Sequence, residues 1–96
     1  MSNIWPFKPL KIRGHSMQPV IRDGELCLVN RWAYLFKKPQ IGDIVVFDSS
    51  GKLFCKRIAA IERDLFTMLG DNRADSLDSS ALGPISAKSI IGRVVA

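Results

Sequence analysis

No stretch of this 96-residue chain approaches the ~18–20 consecutive apolar residues that a bilayer-crossing helix needs. The N-terminus also lacks the apolar core and small-residue cleavage site of a secretory signal. The sequence therefore predicts no transmembrane anchor and a cytoplasmic location. Cysteine is scarce. Cys27 and Cys55 are too few for a disulfide framework, and neither belongs to a C-x-x-C pair or a Cys/His cluster of the kind that holds zinc. Both lie in apolar stretches, which predicts buried free thiols and fits a reducing compartment. Internal repeats, low-complexity tracts and linkers are missing, so the length predicts one domain over residues 1–96, with 1–9 as an N-terminal extension.

What is present is the composition of a folded globular chain, 47% apolar and 24% charged. The net charge of +5 would suit an anionic partner, but the basic residues are scattered with no run longer than two, which argues for a solvated surface and against nucleic acid as a partner. Ile4, Trp5, Phe7 and Leu10 stand among prolines beside Lys8. Shallow contact with a membrane surface and packing across the domain are both open to them.

Gly, Pro and Asp punctuate the chain at short intervals, and between them lie brief runs of Val, Ile, Leu and Phe without long 3.6-residue periodicity. This predicts a mostly β fold with strands over Leu10–Arg13, Glu25–Asn30, Ile44–Asp48, Lys52–Glu62, Phe66–Leu69 and Ile91–Val95. Asp48-Ser49-Ser50-Gly51-Lys52 joins two of these runs and predicts an antiparallel hairpin, placing Lys56 inside a strand. Residues 31–38, before Pro39, read equally as helical turns or as an aromatic-rich loop.

Of nine serines, eight sit in polar company suited to turns and caps, whereas Ser16 lies in Gly14-His15-Ser16-Met17-Gln18-Pro19. Gly14 lets the backbone turn and Pro19 fixes it just beyond, which would hold the hydroxyl on a shaped loop whose N–H groups can face an oxyanion. The only histidine is the adjacent His15, and neighbours in extended chain point to opposite faces, so a Ser, His, Asp triad is not expected. A lysine can act as the base if burial keeps it neutral. Lys56 is the candidate: in Leu53-Phe54-Cys55-Lys56-Arg57-Ile58, alternation puts Phe54, Lys56 and Ile58 on one face. If that face were exposed, Lys56 would be an ordinary edge-strand charge. A third unusual segment, from Leu69-Gly70-Asp71-Asn72 through Ser76 and Asp78 to Gly83-Pro84, is long and polar for so short a chain. Its aspartates lack calcium-loop order, and no metal or cofactor is expected.

Taken in order, these segments resemble the boxes of the S26 peptidases, the type I signal peptidase family. Gly14-His15-Ser16-Met17-Gln18-Pro19 resembles the Ser-Met-x-Pro nucleophile box, Gly42-Asp43-Ile44-Val45-Val46-Phe47 the strand that follows it, Phe54-Cys55-Lys56-Arg57-Ile58 the Lys-Arg box, and Gly70-Asp71-Asn72 with Ser76, Asp78, Ser79, Gly83 and Pro84 the last box. The resemblance implies a compact signal-peptidase or LexA-like core of short antiparallel strands. It further implies a Ser16/Lys56 dyad cutting a peptide bond through an acyl-enzyme, with Ser76 orienting the lysine, Asp78 as a structural carboxylate, and Gly14 and Met17 in supporting places. The chain departs from the pattern at Ser80, where many members carry an arginine, and at Gly14, where some carry a second oxyanion-hole serine. Only fourteen positions separate Lys56 from Gly70, too few for the second β-domain that large bacterial members insert there.

A compact form without an anchor resembles the nickel-type superoxide dismutase maturation proteases, which implies a polypeptide precursor as partner, the pro-form of that enzyme first. Alternatives are a membrane-peripheral signal peptidase core, a LexA-like self-cleaving domain and a non-catalytic β module that only holds a peptide.

Overall fold

Branched and aromatic residues suit the pleated backbone of a strand, and left-handed turns supply the reversals between them. The computed structural model, which describes residues 5–72 and 83–95, shows the result: β1 (Phe7–Lys11), β2 (Leu26–Asn30), β3 (Ile44–Ser49), β4 (Lys52–Glu62), β5 (Leu65–Leu69), β6 (Ile85–Ser86), a 3-10 turn (Ala87–Ser89) and β7 (Ile90–Val95). All strand pairs are antiparallel, in one sheet of order β1-β2-β7-β3-β4-β5-β6. The mostly β expectation holds. Among the described residues no helix is long and apolar enough to cross a membrane.

The β3–β4 hairpin forms as expected. Ser49 pairs with Lys52 across a two-residue turn in which Ser50 (φ 55) and Gly51 (φ 81) are both left-handed, the geometry whose twist matches the flanking strands. The first strand differs from the expected Leu10–Arg13: it starts at Phe7 and ends at Lys11, in register with Asn30 to Leu26. Pro9 lies inside it, which is tolerable because β1 is an edge strand and the missing N–H breaks no central ladder. β6 lies outside the expected strands, because two residues carry too little pattern to be read. Residues 31–37 form turns and bends rather than helix, with Ala33 N–H to Asn30 O at 3.4 Å and Leu35 N–H to Trp32 O at 3.2 Å.

Each face of the sheet carries an apolar cluster. One holds Val45, Phe47, Ile58, Phe66, Met68 and Ile85, with Phe54 stacked on Phe47 at 5.7 Å between ring centroids. The other holds Ile12, Met17, Ile21 and Cys27, packed by Leu10, Ile44, Cys55 and Val94. Alternation along β3 explains the split, since Val45 and Phe47 serve the first cluster and Ile44 the second. Gly92 permits the central strands to meet: a Cβ there would lie 2.6 Å from the Asn30 carbonyl oxygen.

Candidate active site

The segment carrying Ser16 leaves β1 at Lys11 yet stays tied to the turn before β2. Ile12 N–H donates to Glu25 O at 2.9 Å, and Gly14 N–H donates to Asp23 Oδ1 at 2.8 Å. Gly14 sits at φ +96°, a left-handed value that a side chain would resist, so glycine is what allows the chain to swing into the next turn. That turn is closed by Gln18 N–H to His15 O at 3.2 Å and Ile21 N–H to Met17 O at 2.9 Å. Met17 and Ile21 both insert into the second apolar cluster and peg the loop on the far side of Ser16. Ser16 itself is half-buried, and among the described residues no acceptor takes its N–H.

From the other direction the loop is held by the segment after β5. Asn72 N–H donates to Ser16 O at 2.7 Å, and Asn72 Nδ2 donates to His15 O at 3.0 Å. The neighbouring Asp71 accepts a two-pronged bond from Arg57, Nε to Oδ1 at 2.8 Å and Nη2 to Oδ2 at 2.7 Å, while Arg57 Nη1 reaches Gly42 O at 2.7 Å. Such fork-to-carboxylate contacts fix orientation as well as distance, and hydrogen bonding to Asp71 pushes the Arg57 guanidinium up from its ordinary value. Arg57 follows Lys56 in β4, so one chain of bonds runs from the lysine strand to the serine loop. The Lys-Arg and Gly-Asp-Asn boxes are visible in the sequence, but their joint role as a clamp is not.

Lys56 stands opposite Val45 in the register, at the same parity along β4 as Phe54 and Ile58. It is 2% exposed, the one buried charged side chain among the described residues. The edge-charge alternative is thereby excluded. Ser16 and Lys56 line the same groove, of about 700 Å³, whose walls include Leu10 and Ile12 on one side and Val46 and Phe54 on the other. Two strand edges border it among the described residues: there β1 pairs only with β2, and β5 pairs with β4 only from Arg57 onward.

His15 also lines the groove, because Gly14 to Ile21 is turn and not extended chain, so alternation between neighbours does not govern where it points. The Gln18 amide lies 2.9 Å from His15 Nδ1. With that nitrogen accepting from the amide, the neutral ring carries its N–H on Nε2. Cys27 is buried, but Cys55 is only half-buried and lines the groove, which corrects the expectation of two buried thiols. Burial, followed by the neighbouring Cys27, pushes the Cys55 thiol up to about 12. Ser76 and Asp78 lie outside the described residues.

This arrangement sits in a family context that sequence comparison defines. The family model for signal peptidase, peptidase S26, matches residues 1–65 and 60–96, and the chain belongs to that family. It is 28% identical over 138 aligned positions to thylakoidal processing peptidase 1 of Arabidopsis thaliana, covering 92% of this chain and 41% of the relative. The probable thylakoidal processing peptidase 2 of the same plant is 29% identical, with 92% and 37% covered. Mitochondrial inner membrane protease subunit 2 of Saccharomyces cerevisiae is 26% identical, with 88% and 64% covered. The chain thus spans about two-fifths of the length of the plant relatives and somewhat under two-thirds of the yeast one.

Proposed function

We propose that this chain is a serine endopeptidase in which Ser16 is the nucleophile and Lys56 the general base, and that it removes an N-terminal segment from a precursor protein. The observation that carries the reading is the burial of Lys56 in the wall of the groove that Ser16 also lines. Withdrawal from water disfavours the ammonium form, so a buried lysine is suited to exist as a neutral amine near pH 7. Lys56 Nζ then takes the Ser16 Oγ proton as Oγ bonds to the carbonyl carbon. The oxyanion is held by the Ser16 N–H, and collapse breaks the C–N bond while Lys56 returns the proton to the leaving amine. Water attacks the ester as Lys56 takes its proton, and collapse then breaks the bond to Oγ, releasing the new carboxyl end while Lys56 returns the proton to Ser16 Oγ. An extended polypeptide fits the groove because two strand edges flank it and main-chain pairing can hold the segment in line. Ser76 orients the lysine and Asp78 supports the last loop in this reading, while Gly14 and Met17 shape the serine turn.

The pro-form of nickel superoxide dismutase is the first substrate to test, because a compact core resembles the maturation proteases of that enzyme. Co-expression of the precursor with the native chain should give a shortened N-terminus by intact mass, and co-expression with Ser16→Ala or Lys56→Ala should leave it whole. Cleavage surviving in either variant would overturn the dyad. A second reading, processing of precursors at a membrane surface, is favoured by the thylakoidal and inner-membrane names of the relatives and by exposed Trp32, Leu35 and Phe36 beside Lys37 and Lys38. Sedimentation with anionic vesicles separates the two settings: binding would support the surface reading, and no binding the cytoplasmic one.

A further inference from the structure

Among the described residues the charge of the groove is one-sided. Lys11 and Arg13 line it from β1 and the residues just after, Lys52 lines it from the start of β4, and none of its described lining residues is acidic. Two carboxylates in the adjoining turns are already engaged, Asp23 by the Gly14 amide and Asp48 by the Gly51 amide. Lys52 is also placed: its Nζ lies 5.7 Å from the centre of the Phe54 ring, over a wall of the groove. Both bordering segments run toward the reacting end, Lys11 to Ser16 on one side and Lys52 to Lys56 on the other. At a strand rise of about 3.3 Å per residue, Lys52 stands about 13 Å from Lys56 along β4, the span of about four residues of an extended peptide.

Resting on the peptidase reading above, the geometry points to a substrate preference: the groove selects precursor segments that carry Asp or Glu about four residues from the scissile bond. Lys52 meets that carboxylate from one wall, and Lys11 and Arg13 meet it from the other. The apolar lining residues Ile12, Val46 and Phe54 take the small or apolar side chains nearer the cut. The charge acts on substrate choice and not on the bond-breaking step, since Lys52 belongs to the far end of the groove.

The test is a digest of a mixed peptide library by the native chain, with the cut sites read by mass spectrometry, together with binding of two labelled decapeptides to Ser16→Ala. The decapeptides are alanine-rich and carry either two glutamates or two glutamines. The expected outcome is enrichment of Asp and Glu about four residues from the cut, with rates raised about threefold per carboxylate. The enrichment should shrink near 1 M salt, where the Debye length is about 3 Å. Lys52→Glu should reverse the acidic-to-basic ratio among the cuts. Cuts without acidic enrichment, or an unchanged ratio in Lys52→Glu, would overturn the inference and leave the peptidase reading intact. Preferential binding of the glutamate decapeptide by Ser16→Ala with no cuts by the native chain would do the reverse, supporting the charge selection and overturning the peptidase.

Discussion

On one face of the sheet, Val45, Phe47, Ile58, Phe66, Met68 and Ile85 are all contributed by strands. On the other face only Cys27 of the fully buried members comes from a strand; Ile12, Met17 and Ile21 belong to the irregular segment between β1 and β2. The first cluster is locked by the ladder itself. The second is held by a loop that must find its own anchors, and that loop carries Ser16. One face therefore supplies general stability and the other supplies placement, which is why residues equally buried in the two clusters should fail differently when truncated.

The widest separation should come from Phe47→Ala against Met17→Ala. Phe47→Ala empties the middle of the strand-built cluster and should cost about 3–5 kcal/mol in denaturant unfolding. Met17→Ala should cost about 2–4 kcal/mol, with loss of hydrogen-exchange protection concentrated in residues 12–25. Equal loss of protection across β3 and β4 in the Met17 variant would break the comparison. A smaller effect tests the clamp: Asp71→Asn removes the charge facing Arg57 and, at a partly exposed pair, should lower stability by about 1 kcal/mol or less. Its peptide cleavage should fall more than that energy implies, because the bond chain to the Ser16 loop slackens. A cleavage rate that simply follows the folded fraction would show that Asn72 alone positions the loop.

A further effect lies in alkaline solution. The Cys55 thiol, ordinarily near 9.0, is held protonated in the fold up to about 12, chiefly by burial. Above its ordinary value the unfolded chain binds fewer protons than the folded one, so the contribution of Cys55 is complete below pH 9.0 and is lost progressively as pH rises toward 12. Tyr34, raised by burial and by its bond to Asp43, slopes the same way. The difference in unfolding free energy between the native chain and Cys55→Ala, followed through this window, isolates the thiol. A constant difference would mean that the second cluster admits water freely.

The parts of the molecule that can be read from the sequence are those where one local rule decides. Period-two alternation around Lys56 is enough to place it among Phe54 and Ile58, and Ser50-Gly51 between two apolar runs is enough for the hairpin. The parts that cannot be read depend on partners distant in the chain. Nothing near Gly92 reveals that the Asn30 carbonyl will lie against it. Nothing near Arg57 reveals that Asp71 will meet it and pass the constraint on to Ser16 through Asn72. His15 escapes an extended-chain rule because it sits in a turn, and the start of β1 is hidden because Pro9 reads as a break unless the strand is known to lie at an edge.

The position of β7 governs the order in which the fold can be completed. The latest of the described strands to be synthesised lies in the middle of the sheet, joining β2 on one flank to β3 on the other. Until residues 90–95 are available, the two pieces, the β1–β2 pair and the β3–β4–β5 meander, share no strand ladder and keep raw edges, and the long loop closure that completes the sheet must wait. A nascent chain stalled short of β7 would therefore display unpaired strand edges from both pieces, the condition under which chains associate with one another. The Ser16 loop and Lys56 belong to different pieces, so assembly of the groove is timed by the strand that joins them, whose Val94 also packs against the cluster that anchors the serine loop.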